Sequence, residues 1–312
     1  MDNSGTVIEA RELRKNFGSV QAVKSVSFAV RKGEIFGLFG PNGAGKTTTI
    51  RLLCGLTKPA FGSATVYGHY IMYDPTGVRR HLTIAPEESI FYEKMTAGAY
   101  LKFFASMAGH AKQSAKARIQ MVVDICELSG LMNKRIATLS HGQRQKISLA
   151  RTFLSNVPIM FLDEPFQGID IIHRKSLREY LREYVKNGNT VFFTSHNLIE
   201  AEHIVDRFAF IDQGTILKIG SARELRDQYL LPRYSLRVSD PVKAQKVLSD
   251  GLSLDECIAK GDEVVITLRN REDVPRVSAL LGTAGIALLE MRLLGTMEEV
   301  FLRIRQKPEV GA

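Results

Sequence analysis

Apolar and polar positions alternate from Val7 to Leu13 and again from Val23 to Val30, where Val26, Phe28 and Val30 share one face. A period of two predicts half-buried strands. Arg31-Lys32-Gly33-Glu34 reads as a turn, and Ile35 to Phe39 as an apolar strand running into a glycine-rich loop. Lys46 to Leu53 reads as the helix after that loop. Between residues 96 and 155 the period becomes helical. Tyr100, Phe103, Phe104 and Met107 recur at helical spacing, as do Ile119, Val122, Val123 and Ile125 or Cys126. Both stripes are expected to face the core. Two continuous apolar runs follow, Ile159 to Leu162 and Thr190 to Thr194. Such runs suit parallel strands buried on both faces. Strands alternating with helices predict an α/β sheet.

Near Leu231-Pro232 the pattern changes. It reads strand (Tyr234 to Val238), helix (Val242 to Leu248), strand (Glu263 to Leu268), helix (Val274 to Leu281), strand (Ile286 to Leu293), then a helix from Met297. A weaker strand from Leu254 to Ile258 completes a β-α-β-β-α-β unit. The expected organisation is a main domain over residues 1–230 and a small α+β domain over residues 231–312.

Composition adds bounds. The chain has 312 residues, 45% apolar and 24% charged, enough for a sizeable core. Cys54, Cys126 and Cys257 are scattered without metal-ligand spacing and read as reduced thiols of a cytosolic protein. No apolar run approaches the ~18 residues a membrane span needs, and the polar start Met1-Asp2-Asn3-Ser4-Gly5 does not read as a signal peptide. Any membrane role is therefore expected to be peripheral, through a partner. The net charge is +9, and the segment from Leu231 onward holds 12 basic and 12 acidic residues, so the excess lies before it. A basic excess attracts nucleic acid, anionic lipid or nucleotide, and is also what a solvated mixed surface carries.

The chemistry concentrates at two points. Gly40-Pro41-Asn42-Gly43-Ala44-Gly45-Lys46-Thr47 fits G-x-x-x-x-G-K-[ST] without a mismatch, between a strand and a helix. Glycines let the backbone point N–H groups at phosphates, and the helix start adds partial positive charge. Lys46 suits the β- and γ-phosphates of ATP, the Thr47 hydroxyl suits Mg²⁺, and Thr48 suits the α-phosphate side. The second point is the apolar strand ending in Asp163-Glu164. Adjacent strand residues face opposite ways, so the two acids can differ in role. Asp163 is expected to hold the Mg²⁺ shell, and Glu164 to polarise the attacking water as general base.

Other motifs fall around these. Leu139-Ser140-His141-Gly142-Gln143 precedes the acids, Phe166-Gln167-Gly168-Ile169-Asp170 follows them, Thr194-Ser195-His196 ends the next strand, and Phe17 lies 29 residues before Lys46. In this order they resemble the signature, D-loop, switch histidine and adenine-stacking aromatic of ABC ATPases, over about residues 6 to 220. The resemblance implies an α/β P-loop NTPase fold of the ABC type, with a helical subdomain over about residues 95–155. It implies a head-to-tail dimer, homo- or heteromeric, with two ATP molecules between subunits. Ser140, Gly142 and Gln143 of one copy would then face ATP on the other, Asp170 would cross the interface, and His196 would orient the water with Glu164. Phe17 would stack on adenine.

Two positions depart from the common family pattern. Glu87, in Thr83-Ile84-Ala85-Pro86-Glu87-Glu88, stands where glutamine is usual; a carboxylate still reaches Mg²⁺ but cannot donate an N–H bond. His141 replaces a glycine and would be strained if its backbone needed a positive φ. Glu87 and the segment Ser89 to Thr96 resemble ABC-2-type exporter ATPases. That likeness implies a motor on the cytoplasmic face of the cell membrane, driving a separate membrane-spanning permease and not touching the substrate itself. Nucleic acid is then not an expected partner. A soluble ABC ATPase acting on ribosomes or nucleic acid is the alternative, which a single cassette disfavours.

Overall fold

In the computed structural model, which describes residues 5–109 and 111–306, the continuous apolar runs form the buried centre of one large sheet. Met1 to Ser4, read above for targeting, lie outside the described residues. The strands are β1 (Thr6–Phe17), β2 (Val20–Arg31), β3 (Ile35–Phe39), β4 (Phe61–Val66), β5 (His69–Tyr70), β6 (Leu82–Ala85), β7 (Ile159–Asp163), β8 (Thr190–Ser195), β9 (Arg207–Asp212), β10 (Thr215–Gly220), β11 (Arg233–Val238), β12 (Leu254–Lys260), β13 (Glu263–Leu268) and β14 (Leu288–Leu293). The helices are α1 (Lys46–Leu53), α2 (Pro75–Arg80), α3 (Ala97–Met107), α4 (Lys112–Ile125), α5 (His141–Phe153), α6 (Ile171–Lys186), α7 (Leu198–Glu202), α8 (Ala222–Tyr229), α9 (Pro241–Gly251), α10 (Val274–Thr283) and α11 (Met297–Gln306).

The chain divides into two compact units, Met1–Ile219 and Gly220–Ala312. The division falls before α8, whereas the change of sequence pattern falls after it. The reason is local: Arg303 of α11 donates to Tyr229 O at 3.0 Å, and Arg271 donates to Arg226 O at 3.1 Å, so α8 is held by the second unit.

The first unit is built on a ten-stranded sheet in the order β5-β4-β1-β2-β10-β9-β3-β8-β7-β6. β1, β2, β4 and β5 pair antiparallel, while β9, β3, β8, β7 and β6 are parallel. Every residue of β3, β7 and β8 is buried, which explains their unbroken apolar character. The Phe192 ring packs at a tilt against Phe36 and Phe161 across these strands, with ring centroids 5.7 and 5.2 Å away. The parallel register aligns Phe39 with Ser195, Asp163 with Thr194, and Ala85 with Leu162. The carboxyl ends of four strands therefore open on one edge, where α/β sheets bind ligands.

The helical region differs in one respect from its sequence pattern. In α3 the buried face is Ala97, Leu101 and Ala105 with Tyr100, whereas Phe103 and Met107 are 40% and 67% exposed. The small residues Ala97, Gly98 and Ala105 let α3 approach its neighbours closely, with a Cβ on Gly98 meeting Met132 O at 3.0 Å, and part of the aromatic stripe faces outward. In α4, Val122, Val123 and Cys126 are buried as the pattern predicts.

The second unit has the order β11-α9-β12-β13-α10-β14 along the chain and β12-β13-β11-β14 in its antiparallel sheet. The weak strand expected near Leu254 is β12. One sheet face packs Leu236, Val264, Ile266 and Leu268 against Ala244 and Leu248 of α9 and Val277 and Leu281 of α10.

Candidate active site

The loop between β3 and α1 has the shape its sequence requires. Gly43 and Gly45 hold φ of +80° and +106°, which favour glycine. A Cβ on Gly40 would meet Ile211 O at 2.1 Å, and one on Gly45 would meet Ala22 O at 2.6 Å. Gly45 caps α1 without a side-chain hydrogen bond, so the first N–H groups of the helix remain available to an anion. Asn42 and Gly43 are exposed at the loop tip, Ala44 is buried, and Thr47 and Thr48 are half-buried on the first turn. Lys46 is buried, its ammonium donating to Gly40 O at 2.9 Å and Pro41 O at 3.3 Å. These are weak partners for a buried cation, and a triphosphate is a better one.

Opposite the lysine lies Glu164, also buried. Its Oε1 is 3.5 Å from Lys46 Nζ and 2.9 Å from His196 Nδ1, just past the end of β8. Neither approach has hydrogen-bond direction, so Oε1 is buried between Lys46 and His196 without a directed hydrogen bond. The other oxygen, Oε2, accepts from Ser195 Oγ at 2.9 Å. Strand alternation does not set this geometry. β7 ends at Asp163, and Glu164 holds φ +49°, a left-handed conformation that is uncommon without glycine. That turn, fixed by its N–H on Thr194 O at 3.1 Å, directs the carboxylate toward Lys46. Backbone held so against preference is a frequent feature of active sites.

Asp163 is fully buried and accepts from the Thr194 hydroxyl. It shares a cleft of about 150 Å³ with Thr47 and Glu87. Desolvation, then the nearby charges of Asp163 and Glu164, push the Glu87 carboxyl above its ordinary range. Three oxygen-bearing side chains of this kind, with excess negative charge, suit a hard divalent cation such as Mg²⁺.

Ser140, Gly142 and Gln143 form a second group at the start of α5, beside Asp170 at the start of α6. Ser140 Oγ accepts from Gln143 N at 3.3 Å, and Gln143 Oε1 accepts from Ser140 N at 3.1 Å, a reciprocal capping box. A Cβ on Gly142 would lie 2.2 Å from Gly168 O, so close packing of two loops demands glycine there. His141 is the first helical residue and is not among the positive-φ positions. The strain considered for it from sequence does not arise, because its backbone lies in the right-handed helical region, which any residue adopts. Asp170 caps α6, accepting from His173 N at 3.2 Å.

Phe17 ends β1, paired with Val20 across the hairpin and 50% exposed, with Lys15 Nζ 5.0 Å from its ring centroid. Ala22, two positions beyond Val20, packs against Gly45, which brings this hairpin end beside the phosphate loop.

Sequence reasoning gave no role to three groups that hold the acids: the hydroxyls of Thr194 and Ser195, and Gln145. Gln145 is buried on α5 and reaches the carbonyls of Glu164 and Pro165 at 3.5 and 3.4 Å. A polar residue on the inward face of α5, among Ile147 and Leu149, was the available signal.

A family model described as "ABC transporter" matches residues 23–167. The linearmycin resistance ATP-binding protein LnrL of Bacillus subtilis is 34% identical over 219 residues, 70% of each chain. The daunorubicin/doxorubicin resistance ATP-binding protein DrrA of Streptomyces peucetius is 30% identical over 309 residues, 96% of this chain and 93% of that one. Some other relatives are longer, and the chain spans 24% of one and 38% of another. A solved structure of an ATP-binding subunit of an ABC transporter superposes with a TM-score of 0.67 at 28% identity, covering 72% of this chain and 93% of that one. With the phosphate loop, the paired acids and the buried parallel strands in this arrangement, the chain belongs to the ABC transporter family, among its ATP-binding proteins.

Proposed function

We propose that this chain is the ATP-hydrolysing motor of an ABC exporter, working with a separate membrane-spanning permease. The observation that carries the reading is the buried Glu164 Oε1, without a directed hydrogen bond, between Lys46 and His196. On binding ATP, Lys46 exchanges the Gly40 and Pro41 carbonyls for β- and γ-phosphate oxygens. The amides of residues 40–48 surround the same phosphates, and Phe17 stacks on the adenine. Thr47, Asp163 and Glu87 would hold Mg²⁺, which neutralises phosphate charge when bound.

In hydrolysis a water oxygen bonds to the γ-phosphorus as the bond to the β–γ bridging oxygen breaks. Glu164 Oε1 takes the water's proton, and ADP and inorganic phosphate leave. Ser195 steadies the carboxylate through Oε2, and His196 orients the water. Ser140, Gly142, Gln143 and Asp170 complete the site of a second copy or a close relative, in a head-to-tail dimer that closes on ATP.

Transport is supported by three observations. Ile90 and Tyr92 are 92% and 55% exposed, and the Tyr92 ring packs against Phe103 and Phe104. The neighbouring Glu93 pairs with Arg144 of α5 at 3.0 Å, tying this segment to the signature helix. An apolar patch so linked suits a cytoplasmic helix of a permease. Among the described residues no helix is long and apolar enough to cross a membrane. LnrL and DrrA are named for drug resistance, which favours export.

The test is phosphate release by the purified chain, alone and reconstituted with a candidate permease. Absence of ATP-driven pairing and of phosphate release in both preparations rejects the reading.

A further inference from the structure

Asp170 has a second partner besides the helix it caps. Its Oδ1 pairs with His173 Nδ1, and the other ring nitrogen, Nε2, pairs with Glu127 Oε2. Glu127 follows α4 and holds φ +52°, a helix-end position usually given to glycine. One imidazole thus bridges two carboxylates, one from the end of α4 and one from the loop before α6.

A neutral imidazole has a single N–H, whereas the imidazolium has two. Two carboxylate partners match the imidazolium. The surrounding charges do not replace it. Lys146 of α5 acts on Asp170 electrostatically, and the His141 ring lies over Gly168. Arg174 is engaged elsewhere, on Ile169 O and Glu200, both at 2.7 Å. Against the opposing effect of desolvation, the His173 hydrogen bonds hold the Asp170 carboxyl below its usual range.

We infer that His173, in its doubly protonated form, is a positioning residue that locks Asp170 to the end of α4 and so presents it to the neighbouring subunit. The inference rests on the reading of Asp170 as an intersubunit contact. Both ion pairs are present while the ring carries two protons. A neutral ring carries no charge and a single N–H, so rising pH removes the ionic part of both contacts and one of the two hydrogen bonds, and the lock is strongest at the acid end.

The experiment is ATP turnover by the full chain from about pH 5 to about pH 8, the range of the ordinary histidine charge change. Wild type is compared with His173→Gln and Glu127→Gln. At the acid end His173→Gln is expected to lower kcat by about tenfold with KM for ATP little changed. The deficit should close as pH rises, because wild type loses the same bridge. Glu127→Gln should show the same trend with smaller amplitude. His196 is present in all three proteins, so its contribution cancels in the ratio to wild type. A ratio that is flat with pH for both variants overturns the inference, including the case where only melting temperature falls. If turnover survives Glu164→Gln, the site reading itself is wrong and this inference goes with it; a flat ratio with Glu164 still essential removes the lock alone.

Discussion

Ser195 Oγ donates to Glu164 Oε2 at 2.9 Å, while Oε1 of the same carboxylate is buried with no directed hydrogen bond. One oxygen is anchored and the other is presented. A base that must collect a proton from a water needs that division, since an oxygen already saturated with donors is a poor acceptor.

Glu164→Gln keeps the shape and removes the base. Phosphate release should fall by about 10²–10⁴-fold, the usual worth of a general base. ATP binding and ATP-driven pairing should remain, as read by size-exclusion chromatography with nucleotide. Ser195→Ala should give a smaller loss in the same assay. Wild-type turnover in Glu164→Gln would take the base role from this residue.

Lys46→Ala removes the buried ammonium that now leans on Gly40 O and Pro41 O. A hydrogen bond to a charged group contributes about 1.5–3 kcal/mol, so ATP should bind roughly 10- to 100-fold more weakly. Titration with a fluorescent ATP analogue measures this, and unchanged affinity would contradict the phosphate-loop assignment.

Gly142→Ala places a methyl group 2.2 Å from Gly168 O, which is backbone and cannot swing aside. The start of α5 and the loop before α6 must separate. Overpacking of this sort costs about 1–3 kcal/mol, and thermal melting should show it. Turnover should fall with it, because the displaced elements carry Ser140 and Asp170. An unaltered melting temperature would mean that the two loops yield freely.

Glu87 is raised by desolvation and by the like charges of Asp163 and Glu164. Its protonated form is therefore favoured in the folded state. The associated stability is fully present below the unfolded-state pKa and is lost as pH rises through the higher folded-state value. In metal-free, nucleotide-free protein, Glu87→Gln should raise the melting temperature near pH 7 and have little effect near pH 4 (about the ordinary carboxylate range). Equal effects at both pH values would show that repulsion is not the cause.

Much of this was legible in the chain itself. The strands β3, β7 and β8 and the helix α1 follow from apolar runs and a glycine loop, because a strand buried on both faces is apolar through its middle and leaves polar residues only at its ends. The residues of the phosphate loop and the acid pair were legible for the same local reason: glycine spacing and a strand-end carboxylate are properties of a few consecutive residues. The β-α-β-β-α-β order of the second unit was likewise carried by local periodicity.

Tertiary structure decided what depends on residues far apart in the chain. The direction of Glu164 comes from a left-handed turn held by Thr194, thirty positions away, and no pattern around Glu164 encodes it. The outward turn of Phe103 and Met107 was set by how closely Ala97, Gly98 and Ala105 let α3 pack. Gly142 is explained by Gly168 O, and Gln145 by the carbonyls beyond Glu164. Side-chain periodicity reports which face is buried on average, whereas a contact between distant segments exists only once both have been placed by the sheet between them.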